Sequence, residues 1–196
     1  MRKNLILLIL TIILILGGCS NSKETTETTD TPFFDIQLNC KTHTIELIYP
    51  EGKTDVLADE DPSIPVKSPN GKKAAYISPW GWETLSVLYI VDLKDGSKNA
   101  LVSHDLQNQP KEVIWEDNEH VLVIIGYPYG TICIGGNIYR INVTSKEKEA
   151  LTNYDTYTQI TDLHLKEGVL YYNGIQYTDE EYIHYKDYSN QITLSE

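Results

Sequence analysis

Ser68-Pro69-Asn70-Gly71-Lys72-Lys73-Ala74-Ala75-Tyr76-Ile77-Ser78 is the stretch of this 196-residue chain that decides its fold. Residues 87–96, which read Val-Leu-Tyr-Ile-Val-Asp-Leu-Lys-Asp-Gly, follow it after a short loop. In both segments, apolar or β-branched runs border Asn-Gly or Asp-Gly, pairs that supply the positive φ angles of tight hairpin turns. The two segments therefore predict two β-hairpins in series, and together one small four-stranded antiparallel sheet.

The composition supports an all-β protein with a single globular domain. The chain has 41% hydrophobic residues, 14 Tyr and only one Met, and Tyr, Thr, Ile and Val favour strands over helices. The formal charge of −12 argues against nucleic acid or an anionic lipid surface as the partner, because both would repel the protein.

A hairpin pattern recurs along the chain at a nearly constant spacing. Residues 89–101 align without a gap with residues 139–151 at an offset of 50, so that Tyr89 matches Tyr139 and Leu101 matches Leu151. The same window fits residues 45–57 and 182–194. Copies spaced in this way are typical of radial or stacked β repeats. We therefore expect about three four-stranded sheets and a partial one, the last complete sheet having strands at 159–165, 169–177, 182–188 and 191–194.

The motif resembles the blade repeat of TolB-type β-propellers. That repeat has Ser-Pro-Asp-Gly-Lys, then a strand, then a strand ending in Asp-Leu. This chain has the similar Ser-Pro-Asn-Gly-Lys at residues 68–72 and Leu-Tyr-Ile-Val-Asp-Leu at residues 88–93. The resemblance implies an incomplete or small β-propeller-like fold. The whole chain also resembles small bacterial lipoproteins of uncharacterised function, a resemblance that implies no particular activity.

The N-terminus predicts export and lipidation. Basic Arg2 and Lys3 precede an apolar run at residues 5–16, the pattern of a signal peptide. Leu-Gly-Gly-Cys at residues 16–19 resembles the lipobox of bacterial lipoproteins. The resemblance implies that residues 1–18 are a signal peptide. It also implies that the sulfur of Cys19 carries a diacylglyceryl group, with acyl chains such as palmitate. The alternative is an ordinary cleaved signal or an uncleaved anchor.

The segment after Cys19 predicts a tether. Residues 20–31 contain no apolar side chain and cannot bury enough surface to fold. We expect residues 19–31 to be a lipidated cysteine with a disordered tether of roughly 20 Å, and residues 32–196 to be a β-repeat domain at the extracytoplasmic face of the cell membrane. Removal of residues 1–18 leaves 14 basic residues against 28 acidic ones, a formal charge of −14.

The candidate binding residues lie in loops that join the second and third strand of each repeat, at residues 79–83, 126–136 and 178–181. These connections share one direction, so we expect them on one side of the molecule. Two of them carry paired aromatic residues, Trp80 with Trp82 and Tyr127 with Tyr129. Such side chains would suit a sugar, a peptide or a protein surface. The alternative is that these rings fold back and cap the sheets.

Two cysteines remain after Cys19. In an exported protein Cys40 and Cys133 could form a disulfide, and the alternative is two separate, at least partly buried thiols. The five His residues show no His-x-x-x-His or paired-Cys spacing, and Cys40-x-x-His43 alone is half a site at best, so we expect no metal site.

No sequence motif points to catalysis. Ser103, His104 and Asp105 are consecutive, so along a strand they would point to alternate faces, and there is no Gly-x-Ser-x-Gly or phosphate-binding motif. We therefore expect a binding module without a cofactor, anchored to the membrane and directed at an envelope protein or a cell-wall ligand. The rival functions are an extracytoplasmic hydrolase acting on cell-wall glycan or peptide, and a structural subunit of an envelope complex.

Overall fold

The computed structural model describes residues 33–81 and 83–194. The predicted signal peptide, Cys19, the tether and Trp82 lie outside these residues. Fourteen strands are present in the described part: β1 Asp35–Asn39, β2 Thr44–Ile48, β3 Thr54–Ala58, β4 Val66–Lys67, β5 Lys73–Ser78, β6 Val87–Asp92, β7 Lys98–Val102, β8 Gln109–Trp115, β9 His120–Gly126, β10 Asn137–Asn142, β11 Lys148–Ala150, β12 Thr158–Lys166, β13 Val169–Tyr177 and β14 Tyr185–Thr193. Along these ranges no helix has the length and apolar character needed to span a membrane.

The strands form four antiparallel sheets in chain order. The first sheet is β1-β2-β3, the second β4-β5-β6-β7, the third β8-β9-β10-β11 and the fourth β12-β13-β14. The predicted all-β, blade-like architecture is confirmed. The strand count differs from the expectation of three complete sheets and a partial one, because two sheets have four strands and both terminal sheets have three.

The predicted repeat holds for the inner sheets and fails at the end of the chain. Strands β6 and β10 begin at Val87 and Asn137, fifty residues apart, and β7 and β11 begin at Lys98 and Lys148, again fifty apart. The window at residues 182–194 is not a hairpin. Strand β14 runs without a break from Tyr185 to Thr193 and pairs with β13 at every one of its residues, so the strands expected at 182–188 and 191–194 are one strand.

The turn that opens the second sheet uses one residue with positive φ. Gly71 has φ +68°, whereas Asn70, which was expected to share that conformation, instead accepts a hydrogen bond from the Lys72 backbone N–H on its side-chain oxygen (3.0 Å). Ser68 completes the turn, because its hydroxyl accepts a hydrogen bond from the Lys73 N–H (3.0 Å). Short polar side chains that satisfy the backbone in this way favour a turn.

The core lies between the sheets. Successive side chains of a strand point to opposite faces of its sheet, so each inner strand contributes to two separate layers of the core. In β5, Ala74 and Tyr76 pack toward the first sheet, whereas Ala75 and Ile77 pack toward the third. Strand β9 likewise sends alternate side chains to the second and the fourth sheet. Inner sheets covered on both faces therefore have strands with nearly continuous apolar sequence, such as Val-Leu-Val-Ile-Ile at residues 121–125.

The outward faces of the two terminal sheets are mostly polar. On the first sheet, Glu46 accepts hydrogen bonds from the side-chain amides of Gln37 (3.3 Å) and Asn39 (2.7 Å). On the fourth sheet, Asn173 donates to Asp162 (2.9 Å), and the Ser189 hydroxyl donates to Asn173 (2.9 Å). Mostly polar outer faces cap a stack of repeats, and the apolar side chains exposed on them include Val56 of the first sheet and Tyr171 of the fourth. The four sheets thus form an unclosed, propeller-like stack.

Candidate functional site

One edge of the stack carries the candidate site, and we call it the loop edge. In an antiparallel sheet, successive connections emerge at opposite ends of the strands. The β1–β2 loop of the first sheet, the loops between the second and third strands of the other three sheets, and the connections to the next sheet therefore share one edge. The loop edge comprises residues 40–43, 59–65, 79–86, 103–108, 127–136, 151–157 and 178–184.

Direct contacts join the loop edge from the first sheet to the third. His43 lies 3.5 Å from Asp61, measured between Nδ1 and Oδ1, and the Asp61 carbonyl accepts a hydrogen bond from the Trp80 N–H (2.8 Å). The Gly130 N–H then donates to the Glu83 carboxylate (3.2 Å), which joins the loops of the second and third sheets. These contacts make the loops one continuous surface.

The same surface continues onto the fourth sheet through tyrosines. The Tyr177 hydroxyl donates to the carbonyl of Ile132 (3.0 Å). Tyr182 lies against Tyr177 edge to face and is stacked on Tyr157, with ring centroids 5.1 and 5.0 Å away respectively. The loop edge therefore spans all four sheets.

A cavity of about 270 Å³ opens on the loop edge between the second, third and fourth sheets. Its apolar wall includes Trp80, Pro110, Pro128, Ile134 and Ile160. A second cavity of about 370 Å³ shares Trp80 with the first and extends along Ile64 and Ile77. Together they form a groove with an aromatic side chain at its centre, the kind of concave and mostly apolar surface that binds ligands.

Two buried glutamines fix the shape of the cavity. Gln109 accepts a hydrogen bond from the Ser86 N–H (3.2 Å), and Gln159 accepts one from the Gly135 N–H (3.2 Å). Each glutamine lies in the first strand of its sheet and holds a loop of the preceding sheet. The two positions are fifty residues apart, so this clamp is a repeated feature of the fold.

A β-bulge follows each of these glutamines. The register of β8 shifts between Pro110 and Glu112, and the register of β12 shifts between Ile160 and Asp162. The extra residue in each case lines the cavity: Lys111 in β8 and Thr161 in β12. Bulges re-aim side chains beside functional sites, and here they bring polar groups into an apolar groove.

Lys111 is a half-buried cation at the cavity. Its ammonium donates a hydrogen bond to the carbonyl of Cys133, in the loop of the third sheet. Its own carbonyl accepts a hydrogen bond from the Trp80 indole N–H (3.2 Å). Burial lowers the pKa of Lys111 to about 8, because the charged form is disfavoured away from water.

Glu112 contributes a carboxyl group to the same cavity. Burial raises the pKa of Glu112 to about 7, and the nearby charge of Asp162 acts in the same direction. The hydrogen bond that Glu112 Oε1 accepts from the Leu163 N–H (3.3 Å) acts against both effects. A carboxyl group of this kind changes its protonation near neutral pH and could exchange a proton with a ligand.

The predicted rim residues occupy different parts of the loop edge. Trp80 is 54% exposed and lies on the cavity wall. Tyr127 and Tyr129 pack edge to face with their ring centroids 5.8 Å apart, on either side of cavity-lining Pro128. The structure therefore brings Trp80 and the tyrosine loop to one edge, while Trp82 lies outside the described residues.

The other sequence candidates do not form a site in the structure. Cys40 is exposed and Cys133 half-buried, and both are free thiols. They belong to different parts of the stack, since Cys40 follows β1 and Cys133 lies in the β9–β10 loop of the third sheet. Asp105 accepts hydrogen bonds from the backbone of Gln107 and Asn108 and thereby closes its own loop. Among residues 33–81 and 83–194, no group of three or more His, Cys, Asp or Glu residues could hold a metal ion.

The sequence patterns did not predict Lys111, Glu112 or the two glutamine clamps. A signal for the clamps was present, because the offset of 50 that aligns Tyr89 with Tyr139 also aligns Gln109 with Gln159. The polar pair at residues 111 and 112 gave no such signal, since charged residues in a strand normally face solvent.

The fold defines a class of protein, the propeller-like β-repeat proteins. The structure is similar to the crystal structure of a candidate conserved lipoprotein from Clostridium novyi NT, with a TM-score of 0.61, 23% identity, and coverage of 83% of this chain and 97% of that one. It is also similar to oligopeptidase B from Trypanosoma brucei, with a TM-score of 0.50, 12% identity, and coverage of 74% and 23%. For TolB from Acinetobacter baumannii the TM-score is 0.43 and the identity 17%, with coverage of 80% and 38%. The chain thus spans less than half the length of oligopeptidase B and of TolB.

The sequence places the chain in a family. It belongs to the family described as a domain of unknown function (DUF4652), whose model matches residues 67–195. No curated protein matches the sequence.

Proposed function

We propose that this protein is an extracytoplasmic lipoprotein, anchored to the cell membrane through Cys19, that works by binding a ligand or partner at its loop edge. The Leu-Gly-Gly-Cys motif at residues 16–19 supports the anchor. Diacylglyceryl modification would attach two acyl chains, which hold a protein on a membrane far more stably than one chain does.

The main support for a binding role is the position of Trp80. The residue lies on the wall of the cavity and is 54% exposed, although hydrogen bonds hold the surrounding loops in place. An aromatic side chain held at the centre of a concave surface is typical of a binding hot spot, a residue that contributes a large share of the affinity. The fixed Glu83–Gly130 contact keeps the tyrosine loop beside it, so the surface is preorganised.

Site-specific crosslinking in intact cells tests this proposal. A photoreactive phenylalanine analogue at position 80 should form a crosslinked adduct, whereas the same analogue at Val56, which is 60% exposed on β3, should form little or none. An adduct at position 80 alone supports binding at the loop edge. Equal yields at both positions, or no adduct from a folded protein, would contradict it. A single adduct of fixed stoichiometry would favour a structural subunit of an envelope complex.

One observation favours the rival function of hydrolysis. Glu112 carries a raised pKa of about 7 beside a cavity that Glu83 also lines, and glycoside hydrolysis uses two carboxyl groups of which one acts as an acid near neutral pH. Incubation with cell-wall glycan and peptide separates the two functions. A binding protein releases no product, whereas a hydrolase releases product that is lost in Glu112→Gln while ligand binding remains.

A further inference from the structure

Exposed apolar side chains are concentrated on the loop edge. Of the large hydrophobic residues that are exposed, most lie there or at its margin, among them Ile64, Trp80, Leu106, Tyr127, Ile183 and Tyr185. At the opposite edge, the exposed large hydrophobic residue found among the described residues is Phe33, which precedes β1 and lies beside Lys72. Clusters of this kind on a soluble domain mark interaction surfaces.

The loop edge is also strongly acidic. Its segments contain nine Asp and Glu residues, six of them in the two runs 59–61 and 179–181, against one lysine, Lys41, and the imidazoles of His43, His104 and His184. Half-buried Lys111 of β8 adds a second lysine at the cavity, so the carboxylates still outnumber the lysines by nine to two. The turns at the opposite edge mix both signs, with a lysine at positions 53, 72, 94 and 146 among their carboxylates. The two edges thus differ in charge as well as in apolar content.

We propose that the occupant of the loop edge is a cationic polypeptide segment that carries apolar side chains. This inference rests on the proposed function and specifies its partner. One apolar side chain of the segment enters the cavity beside Trp80, and flanking lysine or arginine residues face the exposed carboxylates of residues 59–61 and of Glu180 and Glu181. Complementary charge increases the rate and the specificity of such an encounter, and the buried anchor supplies most of the affinity.

The dimensions of the loop edge agree with a short extended segment. Packed sheets are spaced by about 10 Å, so the distance from the first sheet to the fourth is at most about 30 Å. An extended chain covers about 3.3 Å per residue, so roughly nine residues suffice. A neutral glycan carries no charge to pair with the carboxylates, and nucleic acid or an anionic membrane would be repelled.

A defined peptide tests the proposal with the full-length protein in neutral detergent. The probe is a fluorescent nonapeptide, Lys-Leu-Lys-Lys-Phe-Lys-Lys-Leu-Lys, and binding is followed by fluorescence anisotropy. Two matched peptides separate the contributions: one has Glu in place of every Lys, and the other has Ser in place of Leu and Phe. The proposal predicts that only the first peptide binds tightly, and that its affinity falls as salt rises from about 50 to about 500 mM, because salt screens exposed charges. Tight binding of the acidic peptide would overturn it.

Two charge variants locate the site. Glu60, Glu180 and Glu181 lie on the loop edge, and changing all three to Gln should weaken peptide binding about tenfold. Glu51, Glu147 and Glu167 lie on the opposite edge, and the same three changes there alter the net charge equally but should leave the affinity unchanged. Equal losses in both variants would show attraction to net charge alone and would overturn the proposal. Competition for the peptide by a neutral N-acetylglucosamine oligomer would overturn it as well.

Failure of this inference is distinguishable from failure of the proposed function. If position 80 forms an adduct in cells but the cationic peptide does not bind, the binding function stands and the partner class is wrong. If position 80 forms no adduct and the peptide does not bind, both are wrong.

Discussion

The Gly130 N–H donates a hydrogen bond to the Glu83 carboxylate at 3.2 Å, and this contact joins the aromatic loops of two neighbouring sheets. The two loops are equivalent in their sheets, since each connects the second strand to the third. Trp80 and Pro128, one from each loop, line the same cavity. Repetition of one sheet along the chain thus brings residues nearly fifty positions apart onto a common surface.

The glutamine clamps should stabilise the loop edge. Gln109→Ala or Gln159→Ala leaves the buried N–H of Ser86 or Gly135 without its partner, and an unpaired buried donor costs about 1–3 kcal/mol. Urea unfolding measures the loss. The matched control is Gln191→Ala on exposed β14, which should change stability by less than about 0.5 kcal/mol. A clamp variant as stable as this control would contradict the role given to the glutamines.

Gly136 should be essential for the junction between the third and fourth sheets. Its N–H donates to the Ile160 carbonyl at 3.0 Å, and a Cβ at this position would lie 2.1 Å from the Ile125 carbonyl oxygen. Gly136→Ala should therefore cost more than about 2 kcal/mol of unfolding free energy. At Gly81 an added Cβ meets only the Thr84 methyl group, at 3.6 Å, and Gly81→Ala should leave thermal unfolding nearly unchanged. Similar losses for both variants would be inconsistent with this packing.

Glu112 should make the protein less stable as pH rises. Its pKa increases from an ordinary value of 4.5 to about 7 on folding, so between these values the folded state binds more protons than the unfolded state. Stability should then fall from about pH 4.5 to about pH 7. Denaturant unfolding at about pH 5 and about pH 7.5 should show this decrease in the parent protein and a smaller one in Glu112→Gln. An identical pH dependence in both proteins would show that the carboxyl group is not buried as described.

Trp80 should contribute little to stability if it is a contact residue. Trp80→Ala removes a half-exposed ring and one hydrogen bond, so we expect a loss of about 1 kcal/mol, or a Tm decrease of about 2–4 °C. Trp115 is buried and donates to the Val66 carbonyl at 2.8 Å, and Trp115→Ala should cost about 3–5 kcal/mol. A comparable loss for Trp80→Ala would favour the alternative in which its ring caps the sheets.

Cys19 should determine where the protein is found. Cys19→Ala removes the sulfur that would carry the lipid, so the protein should leave the membrane fraction or accumulate uncleaved, while Cys40→Ser should have no effect on fractionation. Mass spectrometry of the parent protein should show a diacylglyceryl group on the N-terminal peptide. An unmodified Cys19 in a membrane-bound protein would indicate an uncleaved anchor instead.

Much of the fold follows from local sequence. Glycines at 71 and 96 have positive φ and mark the turns that were predicted from Asn-Gly and Asp-Gly. The spacing of 50 residues predicted two equivalent sheets, because each sheet is a self-contained set of local hairpins. The placement of Trp80 and Tyr127 on the same side of the molecule also follows from the sequence, since it depends only on the order of the connections between strands.

The parts that were not predictable depend on tertiary context. Ser189 and Asn190 resemble a turn, yet they lie within β14 because the nine residues of β13 offer partners along its whole length. Lys111 lines a cavity because a bulge in β8 adds one residue there, and no local pattern fixes a bulge. The burial of Glu112 depends in turn on the fourth sheet, whose Leu163 donates to its carboxyl group.

Thiol labelling in intact cells tests most directly whether the loop edge is the working surface. In a Cys40→Ser, Cys133→Ser background, single cysteines replace Leu106 and Ile183 on the loop edge and Val56 on β3, positions that are 68%, 68% and 60% exposed. We expect a maleimide to label the two loop-edge cysteines more slowly in cells than in the purified protein, with no such difference at position 56. If the ratio of the labelling rate in cells to the rate in the purified protein were equal at all three positions, the loop edge would not be the working surface.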